Sequence, residues 1–182
     1  MMRMRENMFA TFGRLRRRDA AFTLVEILIV VVILGILAAI VIPQFSNASQ
    51  TARENTLKDD LRYLRVQIAV FRAQHEDVSP GYPAGNASAA PTEDDFVAQM
   101  TKPTNQHCGV ANAASAEYKF GAYLQKMPRN PMNEKSTVLV VGNGEALPAP
   151  DGSTGWIYQP ETQKIIANTV GSGVDGKAYS EY

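Results

Sequence analysis

Glu26 is the residue whose position most strongly suggests a chemical role, because it is an acid inside a long apolar segment. Residues 22–42 hold Leu, Ile, Val or Phe at 16 of 21 positions and contain no basic side chain. An ionisable group at membrane depth is costly and usually functional, and it needs a charged partner. A cut directly before Phe22 would create an α-ammonium group four residues from Glu26. We therefore expect Glu26 to pair with the N-terminus of a neighbouring, staggered copy.

His107 and Cys108 are a second candidate, an imidazole next to a thiol. Thiol catalysis needs a base within hydrogen-bond reach and a third group that orients this base. Sequence neighbours rarely meet that geometry, and residues 105–116 form a polar segment without an acid. We predict a loop thiol without a catalytic role, and a protein that is not an enzyme. A single cysteine also excludes an intrachain disulfide.

A glycine pattern near the C-terminus matches the dinucleotide-binding fingerprint. Residues 171–176 read Gly-Ser-Gly-Val-Asp-Gly, and only six residues follow them. The fingerprint requires a helix directly after it, whose N-terminus receives the pyrophosphate. We therefore interpret residues 171–176 as a flexible tail and expect no dinucleotide cofactor.

The charge distribution indicates a membrane protein with a defined orientation. The chain has 18 basic and 18 acidic residues, but residues 1–21 contain six Arg against Glu6 and Asp19. Residues 22–42 are long enough to span a membrane, and basic residues before a span favour a cytoplasmic N-terminus. A cleaved signal peptide is a weaker alternative, because the segment is longer than a signal-peptide core and carries an acid in its first turn. A plain signal anchor stays open, although it leaves Glu26 unexplained. No basic patch elsewhere indicates nucleic-acid binding.

The element that must position Glu26 is a helix, which we expect to continue beyond the membrane. Pro43 follows the apolar run, and its ring predicts a kink there. Residues 43–76 are amphipathic, and five apolar side chains recur at helical spacing. This stripe consists of Leu57, Leu61, Leu64, Ile68 and Phe71. One small domain cannot bury so long a helix, so its apolar part must be covered by other copies, as in a filament.

The remaining sequence predicts a small α+β domain. Residues 77–136 are expected to form loops and short helices, with a capping box of Thr92 and Asp95 opening a helix through Met100. Residues 113–127 are compatible with helix or strand. Residues 137–182 predict three short strands in an antiparallel sheet, followed by the tail. The predicted strands are residues 137–141, 156–158 and 164–167.

The segment Ala21-Phe22-Thr23-Leu24-Val25-Glu26-Ile27 resembles the processing site of type IV pilins and type II secretion pseudopilins. The resemblance implies cleavage by a prepilin peptidase between Ala21 and Phe22, N-methylation of Phe22 and an assembly role for Glu26. It also implies a pilin-like fold and a helix-bending Pro43. One departure is Ala21, where the family usually has Gly, and we expect slower or selective processing.

The C-terminal part carries a second resemblance, to the heads of G-type pseudopilins. It rests on residues 127–131 (Met-Pro-Arg-Asn-Pro), residues 155–158 (Gly-Trp-Ile-Tyr) and residues 166–168 (Ile-Ala-Asn). Members of the secretion branch often bind calcium, and Asp151, Ser153 and Asp175 are the candidate ligands here. Calcium takes about six to eight oxygens, several of them carboxylates. Acids are sparse in this segment, which favours ordinary turn chemistry over calcium binding, and no cofactor is required.

The resemblance implies the main pseudopilin of a type II secretion apparatus, a structural subunit that polymerises and supports protein export. Its partners would be copies of itself, the prepilin peptidase and methyltransferase, minor pseudopilins and the inner-membrane assembly platform. The subunit would cross the inner membrane once, with its C-terminal part outside the cytoplasm, before entering the filament. Two alternatives stay open: a type IV pilin for adhesion, motility or DNA uptake, and a membrane-anchored extracytoplasmic binding domain.

Overall fold

The first helix is the longest element of the computed structural model, which describes residues 22–182 except the side chain of Ser46. Helix α1 is Leu24–Gln74 and contains Pro43 inside it. The predicted continuation beyond Pro43 is confirmed, whereas the kink stays a prediction. The leader, including Ala21, lies outside the described residues. The chain divides after Ile42 into two units. We call residues 22–42 the apolar half and Pro43–Tyr182 the head.

The apolar half is not covered by any part of the described residues 22–182. Its large apolar side chains, from Phe22 to Ile42, are each between 43% and 82% exposed. Apolar residues point in every direction around the helix, so no single face could be buried against one small domain.

The head builds its core on the predicted stripe of α1. Leu57, Leu61, Leu64, Ile68 and Phe71 are between 0% and 2% exposed, which confirms the amphipathic pattern. They share one hydrophobic cluster with residues from the rest of the head. The main partners are Phe96, Met100, Leu124, Trp156, Tyr158 and Ile165.

The sheet of the head has three strands, β1 (Val138–Val140), β2 (Trp156–Gln159) and β3 (Lys164–Ala167), in the order β1-β2-β3. The α+β fold is confirmed, but the predicted antiparallel arrangement is wrong for one pair. Strand β1 pairs in parallel with β2, whereas β2 pairs antiparallel with β3. The physical reason is the length of the connections. Residues 141–155 are long enough to bring the chain back to the edge of the sheet where β1 begins, so β2 runs in the same direction as β1. A tight turn joins β2 to β3, so these two strands run in opposite directions.

The central strand β2 is buried on both faces. Trp156 and Tyr158 belong to the cluster around α1, while Ile157 contacts a smaller cluster with Val141 and Ile166. Side chains alternate between the two faces of a strand. The sheet therefore has one face toward α1 and a second face covered by the 141–155 connection.

Helix α2 is Glu93–Thr101, and Thr92 caps it as predicted, but the capping box is incomplete because the Thr92 amide donates to the Gly81 carbonyl over 2.9 Å. The Asp95 amide donates to the Thr92 hydroxyl over 3.1 Å. Residues 113–127 form neither a helix nor a named strand, and only Phe120 makes an isolated bridge, to Thr104. Short 3-10 turns occur at Pro83–Gly85 and Tyr179–Glu181.

The C-terminal segment, expected as a flexible tail, has specific contacts with α1. The Val174 amide donates to the Glu54 carboxylate over 3.1 Å, and Tyr179 is buried. Arg65 donates to the carbonyl of Tyr182. Glu54, which the amphipathic pattern places on a polar face, is only 1% exposed because this segment covers it.

Candidate assembly site at the start of the apolar helix

Glu26 belongs to a capping box at the start of α1. The Thr23 amide donates to Glu26 Oε2 over 2.8 Å, and the Thr23 hydroxyl donates to the same oxygen over 2.9 Å. In return, the Glu26 amide lies 3.2 Å from the Thr23 hydroxyl oxygen. This reciprocal pattern satisfies amide groups that the first turn of a helix leaves free. The Thr-x-x-Glu spacing was present in the sequence, but the interpretation of Glu26 as an assembly acid did not include Thr23.

The capping box leaves part of the Glu26 carboxylate available. All its hydrogen bonds within the described residues use Oε2, so Oε1 has no partner there. Phe22 precedes the helix and is 79% exposed. A carboxylate held at a helix start and open on one oxygen can accept a charge-assisted hydrogen bond from an ammonium group.

The apolar half satisfies the length and composition of a membrane span. Within residues 22–182, α1 is the one helix that is long and apolar enough to cross a membrane, and its apolar window has no buried residue. Such a surface requires lipid or other apolar helices around it.

The segments that resemble pseudopilin heads meet around two buried asparagines. Asn130 donates to the Gly155 carbonyl over 2.8 Å, and the Trp156 indole donates to the Pro128 carbonyl over 2.9 Å. Asn168 accepts from the amide of Asp151 over 2.8 Å and donates to its carboxylate over 2.9 Å. These asparagines hold the loop that enters β2 and the segment that follows β3. Their role was not predicted, since a lone Asn in a sequence does not reveal its partners.

The structure divides the three calcium candidates between two networks. Asp151 and Ser153 are together: the Ser153 amide donates to Asp151 over 2.8 Å, and hydrogen bonds from Ser153 and Asn168 lower the pKa of Asp151 to about 2. Asp175 instead contacts Lys58 and Tyr182. Among residues 22–182, no group of three or more His, Cys, Asp or Glu side chains is placed to hold a metal ion.

His107 and Cys108 do not form a nucleophile and base. Cys108 is 2% exposed and belongs to the core, whereas His107 is exposed. Burial raises the pKa of the Cys108 thiol to about 11, which disfavours the reactive thiolate.

Comparisons with known proteins point to one group. Residues 16–42 match the family model described as the prokaryotic N-terminal methylation motif. Type II secretion system core protein G of Pseudomonas aeruginosa is 30% identical over 127 residues, which cover 70% of this chain and 78% of the relative. Core protein G of Aeromonas hydrophila is 28% identical over 127 residues, which cover 70% of this chain and 77% of the relative. No solved structure matches the chain.

A more distant relationship extends over more of the chain. The type IV major pilin protein PilA of Myxococcus xanthus is 27% identical over 169 residues, which cover 86% of this chain and 70% of the relative. The fold and the acid at the start of an uncovered apolar helix define a pilin-like filament protein. Within that class, the chain belongs to the type II secretion system core protein G family, the pseudopilins.

Proposed function

We propose that the mature chain begins at Phe22 and polymerises as the structural subunit of a type II secretion pseudopilus that supports protein export. The observation that carries the proposal is the Glu26 carboxylate, held by Thr23 at the start of a helix half whose apolar side chains are all exposed. Such a surface is covered when identical helices come together, and Glu26 can then meet the N-terminus of a neighbour.

The magnitudes favour pairing between copies. One acid at the centre of an apolar helix opposes insertion by about 3 kcal/mol. Opposite unit charges about 4 Å apart attract by about 4 kcal/mol at an effective dielectric constant of about 20. An ammonium group on Phe22 of a neighbouring copy would therefore offset the cost of placing Glu26 in an apolar bundle. Methylation of this amine keeps its charge.

The order of the assembly steps follows from the charges of the chain and from the processing known for the pseudopilin family. The six arginines of residues 1–21 keep the N-terminus in the cytoplasm, and the head is exported. A prepilin peptidase removes residues 1–21 and Phe22 is methylated, after which the apolar half leaves the lipid for a bundle of like helices. The inner-membrane platform and minor pseudopilins would guide this step. The subunit itself has a structural role, and no cofactor is needed for it.

A type IV pilus subunit is the second candidate, favoured by the similarity to the Myxococcus xanthus pilin. Both candidates share processing, the helix bundle and the role of Glu26. Deleting the gene separates them, because loss of a pseudopilin stops export of secreted proteins, whereas loss of a pilin removes surface pili.

Substitutions of Glu26 test the pairing. Glu26→Gln keeps an oxygen that can accept from Thr23, since Gln also closes a capping box, but it removes the charge. We expect Glu26→Gln and Glu26→Ala to insert into the membrane normally, measured by carbonate extraction, and both to lose filaments in sheared fractions and electron micrographs. Val25→Ala is the matched control and should assemble.

The outcomes separate three functions of the chain. Full assembly of Glu26→Gln would mean that capping, and not charge, is the role of Glu26. Full assembly of Glu26→Ala would overturn the mechanism. If the wild-type chain inserts but never polymerises, the chain is a membrane-anchored extracytoplasmic domain.

A further inference from the structure

We propose that the head carries two complementary surfaces, an acidic groove at one end of its helix and Arg53 at the other, through which one copy binds the next along the filament. This inference rests on the proposed polymerisation. It adds a specific contact between heads to the contact at Glu26.

The acidic groove lies where α1 ends. It has a volume of about 420 Å³, and its charged lining consists of Arg72, Glu76, Asp77 and Glu161. Arg72 is already engaged: it lies 3.3 Å from the Asp77 carboxylate and donates to Gln163 over 2.6 Å. The groove therefore keeps two carboxylates, Glu76 and Glu161, without a cation within ion-pair distance among residues 22–182.

The two carboxylates are fixed by uncharged donors. Glu76 accepts from the Gln106 amide group over 2.8 Å, and Glu161 accepts from the Gly144 amide over 2.9 Å. Both side chains are exposed, so a partner can reach them. The charge of Glu161 also acts inside the groove, where it adds to burial in raising the pKa of Tyr82.

A buried polar group under the groove has no partner. Tyr158 is fully buried, and its hydroxyl makes no hydrogen bond within the described part of the chain. Ser79, which lines the groove, lies close enough to this hydroxyl to influence the pKa of Tyr158. An unsatisfied buried polar group destabilises the isolated subunit.

The opposite end of the head offers such a group. Arg53 lines a second cavity, of about 510 Å³, together with Ser49, Gln50, Met132 and Tyr179. The side chain of Arg53 is exposed and has no acidic partner within ion-pair distance among the described residues.

The surroundings of Arg53 explain why it has no partner of its own. The residues three and four positions away along the helix, where an acid would pair with it, are uncharged. They are Ser49, Gln50, Thr56 and Leu57. The adjacent Glu54 is turned into the head and bonded to Val174 and Tyr182.

The separation of the two surfaces prevents pairing within one copy. Arg53 and Glu76 are 23 positions apart, which is about 35 Å along a helix. Two different, complementary surfaces on one subunit form a heterologous interface, which generates an open helical filament unless its rotation closes into a ring. Arg is also the side chain best suited to bind carboxylates in a partly buried groove. A second copy of this chain is therefore the occupant that fits.

Charge exchange in the full chain tests the contact in cells that assemble the wild type. Arg53→Glu and Glu161→Lys each place like charges together, and we expect each to lower filament yield about ten-fold, equivalent to the loss of one good charge pair. Combining both restores the attraction with reversed signs and should return the yield to within about two-fold of wild type. Glu117→Lys, an equal charge change at an exposed acid that lines a different cavity, should leave the yield unchanged.

Crosslinking gives a readout that does not depend on yield. Ser49 lines the Arg53 cavity and Ala87 lines the groove, and both are exposed. With Cys108→Ala as background, Ser49→Cys plus Ala87→Cys should give a ladder of multimers with a short bismaleimide, whereas either cysteine alone should give dimers at most. Both charged surfaces stay intact in these variants.

The outcomes are decisive for this contact. Three results would overturn the contact. They are a wild-type filament yield in both single charge variants, no recovery of yield in the double charge variant, and no crosslinked ladder from cysteine variants that form wild-type-like filaments. Lost export with normal filaments in the single variants would mean that the groove binds another partner, which also overturns it. Absence of filaments from the wild-type chain would instead contradict the proposed function.

Discussion

Two stretches of the same helix, residues 24–42 and residues 57–71, are both rich in large aliphatic side chains but differ in how they are covered. In the first stretch every large apolar side chain is at least 43% exposed, and in the second the stripe is at most 2% exposed. The first is apolar all round, whereas the second is apolar on one face. The difference shows that, within residues 22–182, the chain buries the one-sided stripe and leaves the all-round apolar stretch exposed.

Truncating a leucine in each stretch should give the largest contrast. Leu61→Ala removes a fully buried side chain and should lower the free energy of unfolding of the head by about 2–5 kcal/mol. Leu37→Ala removes an exposed side chain and should change it by less than about 0.5 kcal/mol. Denaturation of the full chain in detergent, followed by the fluorescence of the single tryptophan, Trp156, measures both.

Equal effects of the two leucine substitutions would contradict this division of the helix. A large effect of Leu37→Ala on unfolding would mean that the head depends on the apolar half. A small effect of Leu61→Ala would mean that the stripe is not the core of the head.

The head that covers the second stretch also depends on the loop that enters β2, and Asn168 is the residue that holds this loop. It makes hydrogen bonds with Asp151, Gly152 and Thr154 while fully buried. Asn168→Ala removes the acceptor of the Asp151 and Gly152 amides and should destabilise the head by about 1–3 kcal/mol. Asn112→Ala, at an exposed asparagine, is the control. Its free energy of unfolding should stay within about 0.5 kcal/mol of the wild-type value. Similar unfolding curves for the two variants would refute the role of Asn168.

His75 marks the end of the covered stretch and should make the stability of the head depend weakly on pH. Its ring is fully buried, stacks on Phe71, donates through Nδ1 to the Phe71 carbonyl and accepts through Nε2 from the Thr104 hydroxyl. Burial lowers the pKa of His75 below its ordinary value of 6.5. The unfolded chain therefore binds a proton at a higher pH than the folded chain does.

The sign of the pH effect follows from this difference. Stability contributed by neutral His75 is complete above pH 6.5, declines as the pH falls below it, and stops declining below the folded pKa. We expect unfolding midpoints to decrease between pH 6.5 and 5 in the wild type and to be flatter in His75→Gln. A parallel decrease in both proteins would assign the pH dependence to other groups.

The sequence predicted those features that follow from periodicity or local hydrogen bonding. The five-residue stripe of α1, the N-cap at Thr92 and the positions of the three strands all depend on residues close in the chain. Glu26 was identified for the same reason, since an acid in an apolar run is visible without a structure.

The features that were missed depend on residues far apart in the chain. Glu54 lies on a polar stripe by spacing, and only the return of the C-terminal segment buries it. The parallel pairing of β1 and β2 depends on the path of residues 141–155. The ambiguous residues 113–127 form no regular element, and Phe120 pairs with Thr104 instead. Periodicity carries no information about such contacts.

The most direct test of the central claim is mass spectrometry of the N-terminal peptide from protein isolated out of the membrane and from sheared filaments. The account predicts a chain that begins at Phe22 with one methyl group on its amine, most abundant in the filament fraction. It also predicts some uncut precursor in the membrane, because Ala21 stands where the family usually has Gly. A filament subunit that still carries Met1, or one that begins beyond the apolar half, would contradict the claim that Glu26 pairs with the amine of Phe22.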